Sequence, residues 1–178
     1  MHVNIGCGPF RAPSPWVNLD VVRIEGRIEP DVVVPSIWPE TWDLSGFTKV
    51  YMGHVLEHIQ WELVPLFLEQ VLDRCETGAE IAIVGPDIRK FAAKWKHGLI
   101  QWDEVTAALE HHLSFQPDGM WDGARHQWNC DEQRLLDLAA HAGIGGLTAV
   151  PVTEEGLGDW PVTSYVDTQC GVLGIKLS

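Results

Sequence analysis

Short apolar runs alternate with longer amphipathic segments along the chain, and the two patterns predict different elements. Valine- and isoleucine-rich runs bounded by Gly, Pro or Asp predict strands. The predicted strands are His2–Gly6, Trp16–Asp20, Asp31–Val34, Val50–Gly53, Glu80–Val84, Leu147–Val152 and Val172–Leu177. Apolar residues at helical spacing predict helices, at Glu57–Glu76, Asp87–Lys96, Trp102–His111 and Glu132–Ala142. Because strands and helices alternate, we expect an α/β fold with a mostly parallel sheet and helices on both faces.

Two connections interrupt this alternation. The first joins the first two predicted strands and contains Pro9, Pro13 and Pro15, which exclude a full helix and predict a loop or a single turn. The second is a long loop over Phe115–Asn129, rich in Gly, Asp, Trp and His. Loops of that length are frequently functional, so this one is a candidate wall of a binding site.

The composition is typical of one folded domain spanning residues 1–178, with 46% hydrophobic and 21% charged residues. No apolar run approaches the roughly 20 residues of a membrane span. Met1–Gly8 lacks the basic start and apolar stretch of a signal peptide, so we expect a cytoplasmic protein without a membrane partner. The four cysteines are far apart and form no C-x-x-C pair, which predicts free thiols.

A net charge of −13 narrows the range of partners. A protein that binds nucleic acid must bring Lys and Arg to the phosphates, so direct nucleic-acid binding is not expected. The sequence also lacks a D/N-P-P-Y/F motif of the kind that holds a flipped base. A neutral or cationic small molecule fits the charge better.

A glycine turn follows the first predicted strand. Gly6 and Gly8 let the backbone turn sharply and approach a ligand closely. A dinucleotide is disfavoured, because Arg11 stands at the third glycine position of G-x-G-x-x-G and the prolines remove the helix that would hold a pyrophosphate. A nucleoside needs only the close approach and an acid for its ribose hydroxyls, and Asp20, at the end of the next strand, is well placed for that role. A bend glycine and a turn aspartate are the structural alternatives.

Four segments, matched in order and spacing, resemble class I S-adenosylmethionine-dependent methyltransferases: Val3–Pro9, Trp16–Asp20, Val50–Ile59 and Gly78–Asp87. The Val-Leu-Glu-His sequence at 55–58 resembles the signature of a short bacterial and phage subgroup. The segment from His126 to Gly143 resembles the late helix of that subgroup.

The resemblance implies a Rossmann-like sheet of seven strands, antiparallel only at its last strand, with S-adenosylmethionine over the carboxyl ends of the first four. The cofactor-binding residues that it implies are Asn4, Gly6, Cys7, Gly8, Asp20, Gly53 and His54. Gly53 and His54 would border the methionine end and the transferred methyl group. Related sequences often carry an acidic or polar residue after the third strand, near the adenine, where this chain has Pro35 and Ser36.

Methyl transfer from a sulfonium is an in-line displacement with a good leaving group, so alignment of the reactants can suffice. If the acceptor is a hydroxyl, a base near its proton helps, and His is the best suited side chain near neutral pH. His54, after strand four, and His126, in the long loop, are the candidate catalytic residues. A helix cap for His54 and a surface position for His126 remain the alternatives.

Glu57 and His58 fall at the predicted start of a helix, where a carboxylate interacts well with the helix dipole, so we expect a structural role for them. His54 and His58 are four residues apart, as helical metal ligands can be. No metal site is predicted, because His54 precedes the helix and no carboxylate or cysteine stands at a supporting spacing.

The resemblance therefore implies a methyltransferase that acts on a small molecule. The subgroup's similarity to enzymes of glycan and surface-polymer pathways, together with nine tryptophans, points to a sugar or glycan hydroxyl as one acceptor class. Trp121 or Trp128 would offer stacking surfaces for such an acceptor. The alternative is a catalytically degenerate binding or scaffold protein that keeps the fold, which Pro35 and the missing first helix favour. A scaffold would bind the cofactor without transferring its methyl group.

Overall fold

The computed structural model describes residues 1–110, 126–161 and 166–177. The strands are β1 (His2–Ile5), β2 (Trp16–Asp20), β3 (Val32–Val33), β4 (Lys49–Gly53), β5 (Glu80–Pro86), β6 (Ile144–Val150) and β7 (Gln169–Lys176). The helices are α1 (Val64–Arg74), α2 (Ile88–Lys96), α3 (Trp102–Glu110), α4 (Glu132–His141) and α5 (Glu154–Leu157). None of these described helices is both long and apolar enough to cross a membrane.

The strands form one sheet of seven in the order β3-β2-β1-β4-β5-β7-β6. The pairs from β3 to β5 are parallel, and β7 runs antiparallel to both of its neighbours. The predicted Rossmann-like sheet with an antiparallel last strand is therefore confirmed. The strand order reverses between β1 and β4, and ligands of open α/β sheets bind at the carboxyl ends of the strands beside such a reversal.

The core lies on both faces of the sheet, because successive side chains of a strand point to opposite faces. Val50 and Met52 of β4 belong to the larger apolar cluster, which also contains Phe67 of α1 and Leu135 of α4. Tyr51 belongs to a smaller cluster on the other face. That cluster also contains Trp16, Trp160 and Leu157 of α5. Helices thus cover both faces, as predicted.

The predicted helix Glu57–Glu76 is wrong over its first third, residues 57–63. The chain makes two 3₁₀ turns, at Leu56–His58 and Trp61–Leu63, before α1 begins at Val64. Pro65 occupies the first turn of α1, where a missing N–H costs nothing, so it marks the start of the helix. Glu57 and His58 therefore do not interact with the dipole of a helix start.

Two aspartates cap the starts of helices. The Asp87 carboxylate accepts from the Arg89 amide at 2.9 Å and caps α2. The Asp131 carboxylate accepts from the Arg134 amide at 3.0 Å and caps α4. After α4 the backbone reverses at Gly143, whose φ of +87° suits glycine.

The last two strands are longer than predicted. β6 begins at Ile144 rather than Leu147, and β7 begins at Gln169 rather than Val172. Gly145 and Gly146 interrupt the apolar pattern on which strand prediction depends, and the pairing of β6 with β7 is irregular between Gly145 and Thr148. Backbone hydrogen bonds to neighbouring strands therefore extend both elements past their apolar runs.

The long loop after α3 falls largely outside the described residues. Helix α3 is described to Glu110, so the predicted end at His111 is not among them. The predicted loop Phe115–Asn129 is described only from His126 onward, and Trp121 lies outside the described ranges.

Candidate functional site

The loops that follow β1 and β4 meet at the sheet reversal. The backbone of Gly6 has φ +64°, and a Cβ atom there would lie 2.7 Å from Cγ2 of Val55. Only a glycine therefore allows the β1 loop to approach the β4 loop this closely. The Gly6 and Cys7 amides both donate to the carbonyl oxygen of Leu19, at 2.8 and 3.1 Å, which fastens the turn to the end of β2.

Asp20 lies beside this turn, as predicted from the order of the strands. Its side chain is buried, and one carboxylate oxygen accepts from the Gly8 amide at 2.8 Å while the other accepts from the Val22 amide at 3.2 Å. A carboxylate has about four acceptor positions, so two remain for further donors. Gly8 has φ +50°, and no heavy atom lies within 4 Å of the position of a Cβ there. The space above Gly8 is therefore open, with an acidic side chain at its rim.

Cys7 completes the turn as a neutral thiol. It is 4% exposed, and burial together with the Asp20 carboxylate raises its pKa to about 12. A thiol with such a pKa is a poor nucleophile near neutral pH. Cys7 can therefore line a pocket but is not suited to attack a substrate.

A buried amide network replaces the missing first helix. Nδ2 of Asn4 donates to Asn18 Oδ1 at 3.0 Å and to the Phe10 carbonyl oxygen at 3.2 Å. Asn18 Oδ1 also accepts from the Ala12 amide at 2.8 Å, and its Nδ2 donates to the Ala12 carbonyl oxygen at 3.0 Å. Both donor hydrogens of Asn4 are thus directed into the protein, where they hold the proline-rich connection over the sheet.

Asp31 extends this network to the surface. Its carboxylate accepts from the Asn18 amide at 2.8 Å and pairs with the Arg11 guanidinium. The hydrogen bond from the Asn18 backbone, with further help from the Asn18 side chain and Arg11, lowers the pKa of Asp31. The connection between β1 and β2 is therefore held by polar contacts instead of by helix packing.

The end of β4 has an unusual backbone. His54 is the one non-glycine residue among those described with a positive φ, +58°, and its amide donates to the Val84 carbonyl oxygen at 2.8 Å. Strained residues of this kind persist where the surroundings hold them, and they are common in functional sites. A Cβ at Gly53 would lie 2.5 Å from the hydroxyl of Tyr51, so the glycine leaves room for that buried group.

His54 is oriented by a buried carboxylate. Its Nδ1 lies 2.9 Å from Oε1 of Glu57, and a carboxylate can only accept, so Nδ1 carries the proton in this contact. Nε2 of a neutral ring is then the basic atom, and it has no hydrogen-bond partner among the described residues. The side chain of His54 is 27% exposed, whereas that of Glu57 is 1% exposed. The pair has the arrangement of a base and its orienting acid.

Glu57 is surrounded by histidines. Burial by itself raises the pKa of a carboxyl, but the hydrogen bond from His54 and the positive potential of His54, His58 and His126 hold the pKa of Glu57 near 2. Nε2 of His126 lies 3.9 Å from Glu57 Oε1. The rings of His58 and His126 pack edge to face with centroids 5.0 Å apart. The structure thus brings both predicted catalytic histidines to one carboxylate.

Sequence reasoning missed Glu57. The sequence pattern predicts that Glu57 lies at a helix start, whereas the 3₁₀ turn directs its side chain into the interior. The spacing His-x-x-Glu from His54 was the available signal, since one turn places such side chains on the same side. One of the two sequence reasons for excluding a metal, the lack of a supporting carboxylate, is also wrong, because Glu57 lies beside His58 and His126.

Trp128 is a structural residue rather than a stacking surface. It is 9% exposed, and its indole N–H lies 3.0 Å from the carbonyl oxygens of Leu56 and Ile59. The Gln127 amide donates to the Glu57 carbonyl oxygen at 2.6 Å. The expected stacking role of Trp128 is therefore wrong, and the residue ties the segment before α4 to the turn after β4.

Neither a family model nor a curated protein matches this sequence. Its likeness to known proteins lies in three-dimensional structure. An S-adenosylmethionine-dependent methyltransferase of Thermotoga maritima is 12% identical, with a TM-score of 0.61 over 98% of this chain and 81% of that one. An S-adenosylmethionine-dependent methyltransferase of Archaeoglobus fulgidus is also 12% identical, with a TM-score of 0.56 over 98% of this chain and 85% of that one.

A third similar structure is 1,6-didemethyltoxoflavin-N1-methyltransferase of Burkholderia thailandensis, solved with 1,6-didemethyltoxoflavin and S-adenosylhomocysteine bound. It is 11% identical and has a TM-score of 0.59 over 99% of this chain and 70% of that one. These similarities establish the class I methyltransferase fold for this chain. What the chain does with that fold follows from its own residues.

Proposed function

We propose that the chain is an S-adenosylmethionine-dependent methyltransferase that acts on a small molecule, with a hydroxyl of a neutral sugar or glycan as the acceptor. The observation that carries the proposal is the hydrogen bond from the Gly8 amide of the glycine turn to the Asp20 carboxylate at the sheet reversal. Backbone that can approach a nucleoside closely lies within hydrogen-bond distance of an acid that can bind its ribose.

The residues at this edge fit the cofactor. Gly6, Cys7 and Gly8 would lie against its methionine and ribose, since the position above Gly8 is open. Asp20 has acceptor capacity left for ribose hydroxyls after its two backbone contacts. Gly53 would border the methionine end. Asn4 would act indirectly, because it holds the loop that carries the glycines.

His54 is the proposed base. The bound cofactor supplies a methyl group on a good leaving group, so the protein has to align the acceptor and receive its proton. With Nδ1–H directed to Glu57, Nε2 of His54 is the atom that would accept the proton of a hydroxyl, and the buried carboxylate would stabilise the resulting imidazolium. Nε2 is buried in this structure, so the acceptor has to displace the groups that cover it. His126 would help to balance the charge on Glu57 from 3.9 Å away.

The overall charge disfavours an anionic acceptor and is compatible with a neutral one. A net charge of −13 repels anionic acceptors and is indifferent to uncharged sugars. A hydroxyl acceptor also accounts for a base oriented by a buried acid, because a neutral amine has a free lone pair and has less need of one.

The first test is calorimetric titration of S-adenosylmethionine and S-adenosylhomocysteine into the protein and its Asp20→Ala variant. We expect the loss of hydrogen bonds to a charged group to weaken binding about 10- to 100-fold. Asp73→Ala, an exposed change on α1, is the matched control and should bind as the parent does. Equal affinities of the parent and Asp20→Ala would refute the cofactor site.

The second test follows transfer of a labelled methyl group to a panel of neutral saccharides, with amines and thiols in parallel. Transfer to a saccharide that His54→Gln slows at least 100-fold, with cofactor affinity retained, is the expected result. Cofactor binding without transfer to any acceptor would favour the degenerate scaffold instead. Transfer to amines alone would retain the methyltransferase and overturn the sugar hydroxyl.

A further inference from the structure

The turn after β4 and the segment before α4 bring three metal-ligating side chains together. Glu57, His58 and His126 each offer one ligand atom, and these three atoms lie within 4.8 Å of one another. Two ligands are neighbours in a 3₁₀ turn, and the third comes from a distant part of the chain. The contacts that hold the two segments together are those of Trp128 and of the Gln127 amide.

The cluster lies largely inside the protein, with Glu57 buried and both histidines half-buried. Glu57 and His126 have side chains that are 1% and 6% exposed. Within the described parts of the chain, the ion pairs of Glu57 are with His54 and His126 and with no ammonium or guanidinium group. A buried carboxylate requires compensation of its charge, and a bound cation provides it while the imidazole rings stay neutral.

We propose that Glu57, His58 and His126 bind one divalent transition-metal ion of the zinc class. Two imidazoles and one carboxylate are typical of such ions, whereas Mg²⁺ and Ca²⁺ prefer oxygen ligands. Three protein ligands leave at least one coordination position for water or an acceptor oxygen. Ligand atoms around a tetrahedral zinc lie about 3.3 to 3.5 Å apart, so binding draws the three side chains slightly closer together.

His54 would orient the Glu57 ligand in this site. Its Nδ1 is within 2.9 Å of the Glu57 carboxylate, and carboxylate ligands of metals are held by outer hydrogen bonds of this kind. Its Nε2 atom is buried and lacks a hydrogen-bond partner within the described ranges. The proposed metal and the proposed base would therefore share the Glu57 carboxylate.

The proposed metal site lies at the same sheet edge as the proposed cofactor site, and its test does not require methyl transfer. The protein is freed of metal with a chelator, dialysed, and titrated with ZnCl₂ alone in the calorimeter, with bound metal counted by elemental analysis. We expect one equivalent of Zn²⁺ per chain. His126→Gln should weaken binding at least 100-fold, because a tridentate site loses one of its ligands.

The exposed His141→Gln on α4 is the matched control and should bind Zn²⁺ as the parent does. Glu57→Gln is the second variant, and circular dichroism of both variants establishes that they are folded. Substitution with Co²⁺ gives a direct readout, since its visible bands report the coordination geometry and should be lost in His126→Gln.

Less than one equivalent of Zn²⁺, or equal affinity in the parent and in folded His126→Gln, would overturn the metal site. Titration of S-adenosylmethionine into the metal-free protein separates this result from the proposed function. Cofactor binding without Zn²⁺ binding would refute the metal alone, and Zn²⁺ binding without cofactor binding would refute the methyltransferase alone.

Discussion

The loops after β1 and β4 lie side by side at the sheet reversal, yet they are built in opposite ways. The β1 loop is built from glycines: Gly6 and Gly8 have positive φ, and backbone amides make its contacts. The β4 loop relies on large ionisable side chains, with Glu57 buried among histidines. The first is suited to lie against a ligand, and the second is suited to move a proton or hold a charge.

In the proposed function, this difference assigns cofactor binding to one loop and chemistry to the other. A backbone-built loop presents dipoles without long side chains, so its shape depends on a few permitted φ values. A loop built from buried charges depends instead on mutual compensation, and the loss of one member leaves the others uncompensated. Substitutions should therefore be most costly in the β4 loop.

The largest expected effect is that of Glu57→Gln, measured by urea unfolding in metal-free protein at pH 7. Removing one member of a buried charged cluster should lower the free energy of unfolding by about 3 kcal/mol. Glu62→Gln is the control, because Glu62 is exposed and lies in the second 3₁₀ turn. Its free energy of unfolding should stay within about 0.5 kcal/mol of that of the parent. A similar small change for both variants would mean that the charge on Glu57 does not stabilise the fold.

An intermediate effect is expected for Gly6→Ala. The methyl group would meet Val55 at 2.7 Å and the residue would keep φ +64°, so we expect a loss of about 2 to 3 kcal/mol in the free energy of unfolding. Gly8→Ala carries a strained φ but no contact, and should cost about 1 kcal/mol. The double variant Gly6→Ala/Val55→Ala should recover the difference; if it does not, the close approach of the two loops is not what requires glycine.

The smallest effect is expected for Asp31→Asn. The lowered pKa of Asp31 means that its ionised form stabilises the folded state at pH values above its ordinary pKa of about 3.9, and that this contribution is lost as the pH falls through its folded pKa. The side chain is 39% exposed, so less than about 1 kcal/mol is expected at pH 7.

Urea unfolding of the parent and Asp31→Asn from pH 7 to pH 3 measures this effect, and the gap between them should close on acidification. Asp73→Asn is the exposed control, for which the gap should be absent throughout. A gap that widens as the pH falls would contradict the assigned hydrogen bonds of Asp31.

Local patterns were sufficient for the central strands β1, β2 and β4 and for the β1 loop. β2 lies at the predicted residues, and β1 and β4 differ from prediction by one residue each, because alternating apolar residues decide these strands. The position of Asp20 beside Gly8 followed from the adjacency of parallel strands. The surroundings of Glu57 did not follow, because His126 reaches it from a remote segment and only the folded chain brings them together.

The buried amide pair has a consequence for how the sheet assembles. β1 is four residues long, and no helix fixes its alignment with β2, so apolar residues alone leave several alignments of the two strands close in energy. Asn4 lies directly opposite Asn18 in the sheet. A slip by one or two residues would separate the two amides and bury both without partners. The pair thus specifies the register of β1 against β2. It does so mainly by destabilising misaligned sheets, and it contributes less to the stability of the correct one.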